Sequence, residues 1–353
     1  MNNLYVVESP LQALCALEVS LSKKGEQNFI IAKLSDIKRD ENNQQILKVI
    51  NLGVWDKKVI LNPSKKKNNI ITDHISQLKE LSKIKKVFGG KIGCLYIGEF
   101  RYQYMHMVRC AINPFNVYLL DDGAATVNVI KKYIENKKYY PEDTIRKSIQ
   151  SSFPKRIFYN IFYKNYLNKR ILEKEITVLT AFFEESNDIA VRSLKFNNIA
   201  LLKNKEQKKD SSLVYYYGSY YSENSYISLE YEINFLTKII EFYDKKHKEI
   251  IYFAHRDESE RKLSILTQHL QIEVKQPTEM AELFLINSLV SPGEVAGAYT
   301  SILNNVKFIF PEMSIRSFRL DQSEIRLENR LAIGNIYDYY HRIGIDVKSF
   351  TNK

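Results

Sequence analysis

The sequence has few of the residues that mark metal sites, redox sites or membrane spans. Only three cysteines occur among 353 residues, and the spacings of Cys15, Cys94 and Cys110 fit no zinc or redox motif. Such a sparse, odd number indicates reduced thiols in a cytoplasmic protein. No apolar run approaches the ~20 residues of a membrane-spanning helix, and residues 1–7 indicate a strand and not a signal peptide.

Glycine is also scarce, with 12 residues, and no glycine-rich phosphate-binding loop is present. The sequence contains neither G-x-G-x-x-G nor the Walker pattern, and it lacks HExxH, G-x-S-x-G and paired CxxC motifs. These absences exclude the commonest kinases, serine hydrolases and zinc enzymes.

Basic residues outnumber acidic ones and give a formal net charge of +11. A basic balance is compatible with nucleic acid, with an anionic membrane surface or with anionic substrates. The basic residues are scattered, however, and no nucleic-acid-binding motif is visible. No nucleic-acid partner is therefore expected, and nucleic-acid binding is kept only as an alternative from another functional class.

Short β-rich runs alternate with helical patterns along most of the chain. The first half begins with a strand at Leu4–Val7 and a helix at Leu11–Leu21, and it continues through further strand–helix pairs to a helix after Gly123. The second half repeats the pattern from Leu213 to a strand predicted at Val306–Phe310. Such alternation predicts an α/β protein with parallel sheets and helices on both of their faces.

A uniformly polar segment, Lys203–Ser212, separates the halves and is the best linker candidate. We therefore predict two Rossmann-like domains, at residues 1–202 and 203–353, whose parallel sheets face a central cleft. Ligands of such domains bind at the carboxyl ends of the strands.

The aromatic and basic segment Phe153–Leu172 lies before the second half. Its composition fits an amphipathic helix on an anionic membrane. The alternative is an interdomain or dimer helix with a buried aromatic face. Peripheral contact with the inner face of the cytoplasmic membrane and a homodimer are both left open.

Two adjacent carboxylates, Asp121 and Asp122, end an apolar strand before Gly123. Repulsion and partial desolvation raise the pKa of one member of such a pair, and a carboxylate with a raised pKa suits a general base near neutral pH. The alternative is a helix cap, because aspartate before a helix accepts hydrogen bonds from its first amides.

Another predicted strand ends before His255, which is followed by Arg256 and Asp257. The guanidinium could stabilise a phosphate bound here, and a protonated imidazole could donate to a departing phosphate oxygen. The alternative is a histidine that caps the strand and pairs with Asp257.

Hydroxyl groups mark a third place, where Thr300 and Ser301 follow Tyr299. Hydroxyls and helix N-terminal amides together form phosphate sites, although simple capping explains the same residues. Upstream, Glu282 lies between apolar residues. If it faces a cleft, its carboxylate could accept from ribose hydroxyls; otherwise it is a solvent-facing helix residue.

These places, in this order, resemble the bacterial sialyltransferases of glycosyltransferase family 52, with a looser similarity to bacterial polysialyltransferases. The similarity covers most of the chain and is carried by short segments: 4–12, 97–102, Asp121-Asp122-Gly123, and the residues around His255, Glu282 and Tyr299-Thr300-Ser301. Polysialyltransferases carry His-Pro, whereas His255 is followed here by Arg256. This departure weakens the similarity to polysialyltransferases and leaves the similarity to family 52 standing.

The resemblance implies a GT-B fold with an N-terminal acceptor domain and a C-terminal donor domain, CMP-sialic acid as the donor, and inversion at the anomeric carbon. It implies that Asp122, with Asp121 second, is the base and that His255 is the general acid toward the CMP phosphate. The implied donor-binding residues are Arg256, Glu282, Tyr299, Thr300, Ser301, Gly218 and Ser219. The implied acceptor-binding residues are Ser9, Gln12, Gly123 and Arg101.

The adjacent aspartates differ from the Asp-x-Asp motif of metal-dependent glycosyltransferases, so we expect no metal and no cofactor besides the donor substrate. The expected partners are a nucleotide-sugar donor and a bacterial surface glycan, either lipooligosaccharide or capsule. Another CMP-linked nonulosonic acid or a UDP-hexose is the alternative donor. A non-catalytic nucleotide-sugar-binding protein is the second alternative from another class.

Overall fold

The computed structural model describes residues 1–35, 40–62, 70–143, 156–157, 166–182 and 190–350. The chain divides into two compact units, Met1–Leu194 and Lys195–Lys353. The domains predicted from the sequence differ from these units by the segment 195–202, and their acceptor and donor roles stay predictions.

The first unit contains a parallel sheet with the strand order β3-β2-β1-β4-β5-β6-β7. Its strands are β1 (Asn2–Val7), β2 (Gln27–Lys33), β3 (Lys57–Leu61), β4 (Cys94–Ile97), β5 (Asn116–Leu119), β6 (Ile176–Thr180) and β7 (Val191–Ser193). Its helices are α1 (Pro10–Ser22), α2 (Asp40–Leu52), α3 (Ile70–Phe88), α4 (Gln103–Ile112), α5 (Ala124–Val129), continued by a π-helical turn (Ile130–Ile134), and α6 (Lys169–Leu172).

The second unit contains a parallel sheet with the strand order β10-β9-β8-β11-β12-β13. Its strands are β8 (Lys208–Tyr217), β9 (Glu249–Phe253), β10 (Glu273–Lys275), β11 (Val290–Gly297), β12 (Ser314–Arg319) and β13 (Asp346–Ser349). Its helices are α7 (Asn197–Ala200), α8 (Leu229–Asp244), α9 (Glu260–Gln268), α10 (Ala281–Asn287), α11 (Ser301–Ile309) and α12 (Leu327–Arg342).

The first strand and helix illustrate why these residues fold as they do. Leu4 and Val6 in β1 are fully buried, because helices cover both faces of a parallel sheet and its central strands are apolar on both sides. Helix α1 begins where the Ser9 hydroxyl accepts from the Gln12 amide over 3.3 Å. Pro10 occupies the first helical position, where a missing amide costs little. The chain therefore turns directly from β1 into α1.

The strand predicted at Val306–Phe310 is wrong, because most of these residues belong to α11. Ile302, Leu303, Val306 and Ile309 recur at helical spacing and are all buried. A short apolar run does not by itself distinguish a buried strand from the buried side of a helix.

The predicted linker Lys203–Ser212 is only partly a loop. From Lys208 onward its backbone pairs with β11, with Lys208 opposite Val290, although its side chains stay exposed. Composition missed this strand because the hydrogen bonds of a sheet ladder need no apolar side chains.

Most of the segment Phe153–Leu172 lies outside the described residues, and its end, Lys169–Leu172, forms helix α6. Its two alternatives therefore stay open. Among the described parts of the chain, we find no helix with the length and apolar character needed to cross a membrane.

Candidate functional site

The carboxyl ends of the parallel strands lie along one edge of each sheet, and most of the candidate residues follow them. The strand order reverses between β1 and β4 in the first unit and between β8 and β11 in the second. Doubly wound folds bind ligands in the crevice outside the strand ends at such a reversal. Gln12 and Asp122 lie at this edge of the first unit, and Gly218, His255 and Thr300 lie at the corresponding edge of the second.

Asp122 is held by side chains from α1 and from the loop after β4. Gln12 Nε2 donates to Asp122 Oδ1 over 2.9 Å, and Gln12 Oε1 accepts from the Glu8 amide over 2.9 Å. Arg101 Nη2 lies 3.7 Å from Asp122 Oδ2. The Asp122 side chain is 26% exposed, so an acceptor hydroxyl can reach it.

Asp121 differs from its neighbour because it is buried and both of its carboxylate oxygens are occupied. Oδ1 accepts from the Gly123 amide and the Thr126 hydroxyl, each over 2.9 Å. Oδ2 accepts from the Thr180 hydroxyl and the Ala181 amide, each over 2.8 Å. Asp121 therefore ties the end of β5 to the end of β6.

Two glycines on this edge are explained by the backbone and by close packing. Gly123 is the N-cap of α5 and has φ of +69°, a conformation that side chains rarely allow. The N-cap is therefore Gly123 and not Asp122, so the alternative in which Asp122 caps the helix does not apply. A Cβ on Gly98 would lie 2.1 Å from Gln12 Oε1, so only glycine permits the position of Gln12.

The electrostatics of this edge raise the pKa of three carboxylates, Asp121, Asp122 and Glu8. Burial raises the pKa of Asp122 to about 7, despite the hydrogen bond from Gln12, and the nearby Glu99 carboxylate adds to the rise. Burial also acts on Glu99, but Arg101 holds its pKa below the usual range through hydrogen bonds of 2.9 and 2.7 Å to the two oxygens. Burial likewise raises the pKa of Glu8 to about 7.

The predicted acceptor-binding residues all lie on this edge. Gln12 and Arg101 flank Asp122, and Gly123 follows it in the chain. The hydroxyl of Ser9 is used to cap α1. Gly98, Glu99, Phe100 and Thr126 contribute, with Asp122, to the lining of a small recess between the ends of β4 and β5.

In the second unit, His255 is fixed by its neighbours. Its ring stacks on Tyr220 with centroids 4.6 Å apart, and its Nδ1 accepts from the Asp257 amide over 3.2 Å. Burial and the charge of Arg256 lower the pKa of His255 to about 4. The imidazole is therefore neutral at pH 7, and because Nδ1 is an acceptor, the proton resides on Nε2. The Asp257 carboxylate lies 3.7 Å from Nδ1. The alternative of a histidine paired with Asp257 therefore holds only as a contact between a carboxylate and a neutral ring.

Sequence reasoning missed a buried ion-pair network beside His255. Lys262 on α9 lies between Glu232 on α8 and Glu258, which precedes α9, and all three side chains are almost completely buried. The sequence signal was the four-residue spacing of Glu258 and Lys262, which is common on helices and is not specific.

Thr300 and Ser301 lie at the beginning of α11, with Thr300 as the N-cap. The Thr300 hydroxyl does not cap the helix by a side-chain hydrogen bond. The Tyr340 hydroxyl accepts from the Thr300 amide over 3.1 Å, and the Tyr221 hydroxyl accepts from the Tyr299 amide over 3.1 Å. An anion at this helix end would therefore use the amides of the following first turn, which a helix leaves without intrahelical partners.

Glu282 is a buried residue of α10 and is only 5% exposed. The alternative of a solvent-facing helix residue is therefore wrong. Its Oε1 accepts from Asn305 Nδ2 over 2.6 Å, and burial raises its pKa. Gly218 and Ser219 follow β8, where the Ser219 carbonyl accepts from Lys262 over 2.7 Å. Arg256 follows His255 in the turn after β9.

In the described ranges, no cluster of three or more His, Cys, Asp or Glu side chains has the arrangement of a metal site.

A family model described as alpha-2,8-polysialyltransferase matches residues 3–318. The chain belongs to the alpha-2,8-polysialyltransferase family. This is the group to which the sequence motifs showed the looser similarity, so a proline after the histidine is not needed for a match to the family. The assignment of this polysialyltransferase-family chain to family 52 stays a prediction.

Several solved structures are similar to this polysialyltransferase-family chain. A UDP-N-acetylglucosamine 2-epimerase from Listeria monocytogenes has a TM-score of 0.53 at 9% identity, over 99% of this chain and 92% of that chain. The UDP-GlcNAc 2-epimerase from Neisseria meningitidis bound to UDP-GlcNAc has a TM-score of 0.48 at 11% identity, over 98% and 95% of the two chains. A glycosyltransferase from Rickettsia africae has a TM-score of 0.43 at 13% identity, over 98% and 89%.

No curated protein sequence matches the chain. At such low identities the structural likeness shows the fold alone. The fold consists of two parallel-sheet α/β domains of the GT-B type, which confirms the predicted fold class.

Proposed function

We propose that this chain is an inverting sialyltransferase that transfers sialic acid from CMP-sialic acid to a terminal sugar of a bacterial surface glycan. The observation that carries the proposal is the environment of Asp122. It is a partly exposed carboxylate whose pKa is raised by burial to about 7, in a member of a sialyltransferase family.

Asp122 is the general base of the proposed reaction. Its carboxylate takes the proton of the acceptor hydroxyl while the hydroxyl oxygen attacks the anomeric carbon of the donor sugar. A base whose pKa lies near the working pH is sufficiently deprotonated and still basic enough to accept the proton. Asp121 is the less suitable candidate because four donors already occupy its oxygens.

His255 acts on the leaving group. As the bond from the anomeric carbon to the phosphate oxygen breaks, the electron pair passes to CMP. A neutral imidazole with its proton on Nε2 donates a hydrogen bond to the phosphate without first being protonated. Arg256 supplies a positive charge next to it.

The remaining donor contacts are assigned to the same edge of the second unit. Thr300, Ser301 and the first-turn amides of α11 bind the CMP phosphate, in the manner of anions at helix N-termini. Glu282 is assigned to the ribose, which requires its carboxylate to turn from Asn305 toward the donor. Gly218, Ser219 and Tyr299 line the donor site, and Ser9, Gln12, Gly123 and Arg101 line the acceptor site.

The decisive experiment is incubation of the purified chain with CMP-sialic acid and a panel of galactoside and sialoside acceptors, read by mass spectrometry. We expect a product heavier by one sialyl residue, and the same yield with EDTA, because no step of the mechanism uses a metal. Parallel reactions with other CMP-nonulosonic acids and UDP-hexoses identify the donor. A hexosyl product with no sialyl product would refute the proposed donor.

The acceptor that reacts also indicates the type of glycan and the glycosyltransferase family. Transfer to galactosides, as in the lipooligosaccharide proposal, supports the family 52 assignment, whereas transfer to sialosides supports capsule-type elongation. A chain that binds CMP but never transfers would be a nucleotide-sugar sensor, and a steep salt-dependent affinity for DNA or RNA would favour nucleic-acid binding. Cytoplasmic location, membrane contact and dimerisation remain parts of the proposal.

A further inference from the structure

Lys262, in the first turn of α9, has a completely buried ammonium group. Its side chain is 0% exposed. Nζ donates to the Ser219 carbonyl over 2.7 Å and to Glu232 Oε1, and it lies 3.1 Å from Glu258 Oε2. An ammonium group has three hydrogens to donate, so each of them has a protein acceptor. A buried charge is retained only when it is paired and hydrogen-bonded in this way.

Glu258 connects this ammonium group to His255. Its side chain is also 0% exposed. Oε1 accepts from the His255 amide over 2.7 Å, and Oε2 accepts from the Tyr252 hydroxyl over 2.7 Å while it faces Lys262. The carboxylate therefore fixes the main chain at the residue whose imidazole is proposed to contact the donor phosphate.

Two more carboxylates join the loop after β8 to the turn after β9. Glu223 Oε1 accepts from the Ser259 amide over 2.8 Å. Glu232 Oε2 accepts from an amide of the loop after β8 over 3.1 Å. Tyr220, in the same loop, stacks on His255. The two backbone segments are thus linked by hydrogen bonds, by ring stacking and by one shared cation.

Gly218 permits this close packing. A Cβ at Gly218 would lie 2.1 Å from the Tyr252 hydroxyl and 2.5 Å from Glu258 Oε1. The loop after β8, which carries the proposed donor contacts Gly218 and Ser219, therefore rests directly on the network.

We propose that Lys262 is a positioning residue, which holds His255 on Tyr220 and holds the donor-binding loop 218–223 against the turn after β9. The catalytic meaning of this arrangement rests on the proposed function, whereas the positioning itself does not. Lys262 touches neither donor nor acceptor in this scheme, and it acts through Glu258 and the Ser219 carbonyl.

The charge of Lys262 is essential to this arrangement. Burial raises the pKa of Glu258 to about 7 even though Lys262 opposes the rise. Without the ammonium group, the pKa of Glu258 rises further, and the more fully protonated carboxyl becomes a weaker acceptor for the His255 amide. The turn then loosens, and the imidazole becomes more exposed to water.

The test uses Lys262→Met, which keeps the length of the side chain and removes its charge. The pKa and tautomer of His255 are measured by NMR, and CMP affinity is measured by calorimetry. We expect the His255 pKa to rise from about 4 toward its ordinary value of 6.5, because the Lys262 charge that helps to lower it is lost and the ring becomes more exposed. Glu258→Gln keeps the Lys262 charge, so a rise in that variant reports the exposure of the ring alone. CMP affinity should fall by about tenfold.

The matched control is Lys248→Met, because Lys248 also pairs with a buried carboxylate, Glu294, at 2.9 Å. Lys248 precedes β9 and so lies at the opposite end of that strand from His255. We expect it to lower stability without changing the His255 pKa. If Lys262→Met does not fold, Glu258→Gln, which preserves the shape and loses the charge, gives the same NMR measurement.

An unchanged His255 pKa and unchanged CMP affinity in the folded Lys262 or Glu258 variant would overturn the proposal. Neither measurement requires turnover. Absence of sialyl transfer by the wild-type chain would therefore refute the proposed function and leave the positioning role to be judged by these two measurements.

Discussion

Gln12 holds Asp122 in one orientation: its Nε2 donates to Asp122 Oδ1 over 2.9 Å while its Oε1 accepts from the Glu8 amide over 2.9 Å. The backbone contact fixes which end of the Gln12 amide faces the carboxylate. Gly98 leaves the space that the amide needs. One oxygen of Asp122 is therefore occupied by Gln12, and Oδ2 lies 3.7 Å from Arg101 Nη2. The carboxyl also shares a hydrogen bond with Glu99, which an acceptor hydroxyl has to displace or join.

Replacement of Asp122 by asparagine tests its role as the base. We expect Asp122→Asn to lower kcat by at least about 10²-fold, because an amide does not take up a proton at neutral pH. Single-turnover kinetics with CMP-sialic acid provide the measurement. Full activity in a folded variant would remove Asp122 from this role.

The same variant should not be less stable than the wild-type chain. The pKa of Asp122 is raised in the folded state, from 3.8 to about 7, so the wild-type chain loses stability as the pH rises through this range. Asparagine abolishes that loss. The difference in free energy of unfolding between Asp122→Asn and the wild-type chain should therefore shift in favour of the variant from pH 5 to pH 8. Urea unfolding at the two pH values measures this difference.

Asp121 provides the matched comparison on the same strand end. Asp121→Asn places an amide nitrogen, which only donates, among groups that donate to both oxygens. Burial raises the pKa of Asp121 as well, so asparagine removes the cost of a buried charge, but the mismatched donors outweigh this gain. We expect Asp121→Asn to lower the free energy of unfolding by about 1–3 kcal/mol. Equal stability of the two asparagine variants in urea unfolding would contradict the different roles assigned to the two aspartates.

The pH dependence of kcat/KM follows from the raised pKa of Asp122. The base must be ionised, so kcat/KM should rise about tenfold per pH unit below pH 7 and level off above it. Initial rates across about pH 5 to 9 measure this profile. Arg101→Gln should raise the midpoint, because the Arg101 charge lowers the Asp122 pKa. A flat profile would exclude an ionisable base with this pKa.

The sequence predicted the strand–helix alternation of both sheets because apolar runs of the central strands are continuous and distinct. It missed β11, a central strand of the second sheet, because Pro292 and Gly293 normally interrupt strands. The structure accommodates both at a register shift between Pro292 and Glu294. A Cβ on Gly293 would lie 2.6 Å from the Ser211 carbonyl oxygen. Local patterns do not contain such a contact with another strand.

In the candidate site, too, the sequence predicted residues within local motifs but not the contacts that depend on distant parts of the chain. Asp122 and Gln12 were both named from the sequence, and the structure brings them into contact. The difference between Asp121 and Asp122 was not visible, because it depends on donors from β6 that are distant in sequence. The Lys262 network was missed for the same reason, since Glu232 comes from another helix.

Binding of the CMP phosphate at the beginning of α11 is tested by replacing its two hydroxyl residues. Thr300→Ala with Ser301→Ala should weaken CMP binding by about tenfold and leave cytidine binding unchanged, because only the phosphate contacts are removed. Isothermal titration calorimetry with both ligands separates the two effects. The same loss for cytidine would show that the helix end has been distorted, and no loss for CMP would refute the phosphate site.

Variants of His255 test whether its imidazole acts as a neutral hydrogen-bond donor or as a protonated acid. We expect His255→Ala to lower kcat by at least about 10²-fold, and His255→Gln, which keeps an N–H donor, to lower it less. Since the pKa of His255 is about 4, its neutral form predominates throughout the active range. The wild-type rate should therefore not fall as the pH increases through 6.5. A fall there that is absent in His255→Gln would mean that bound donor raises the pKa of His255 and that the imidazolium is the active form.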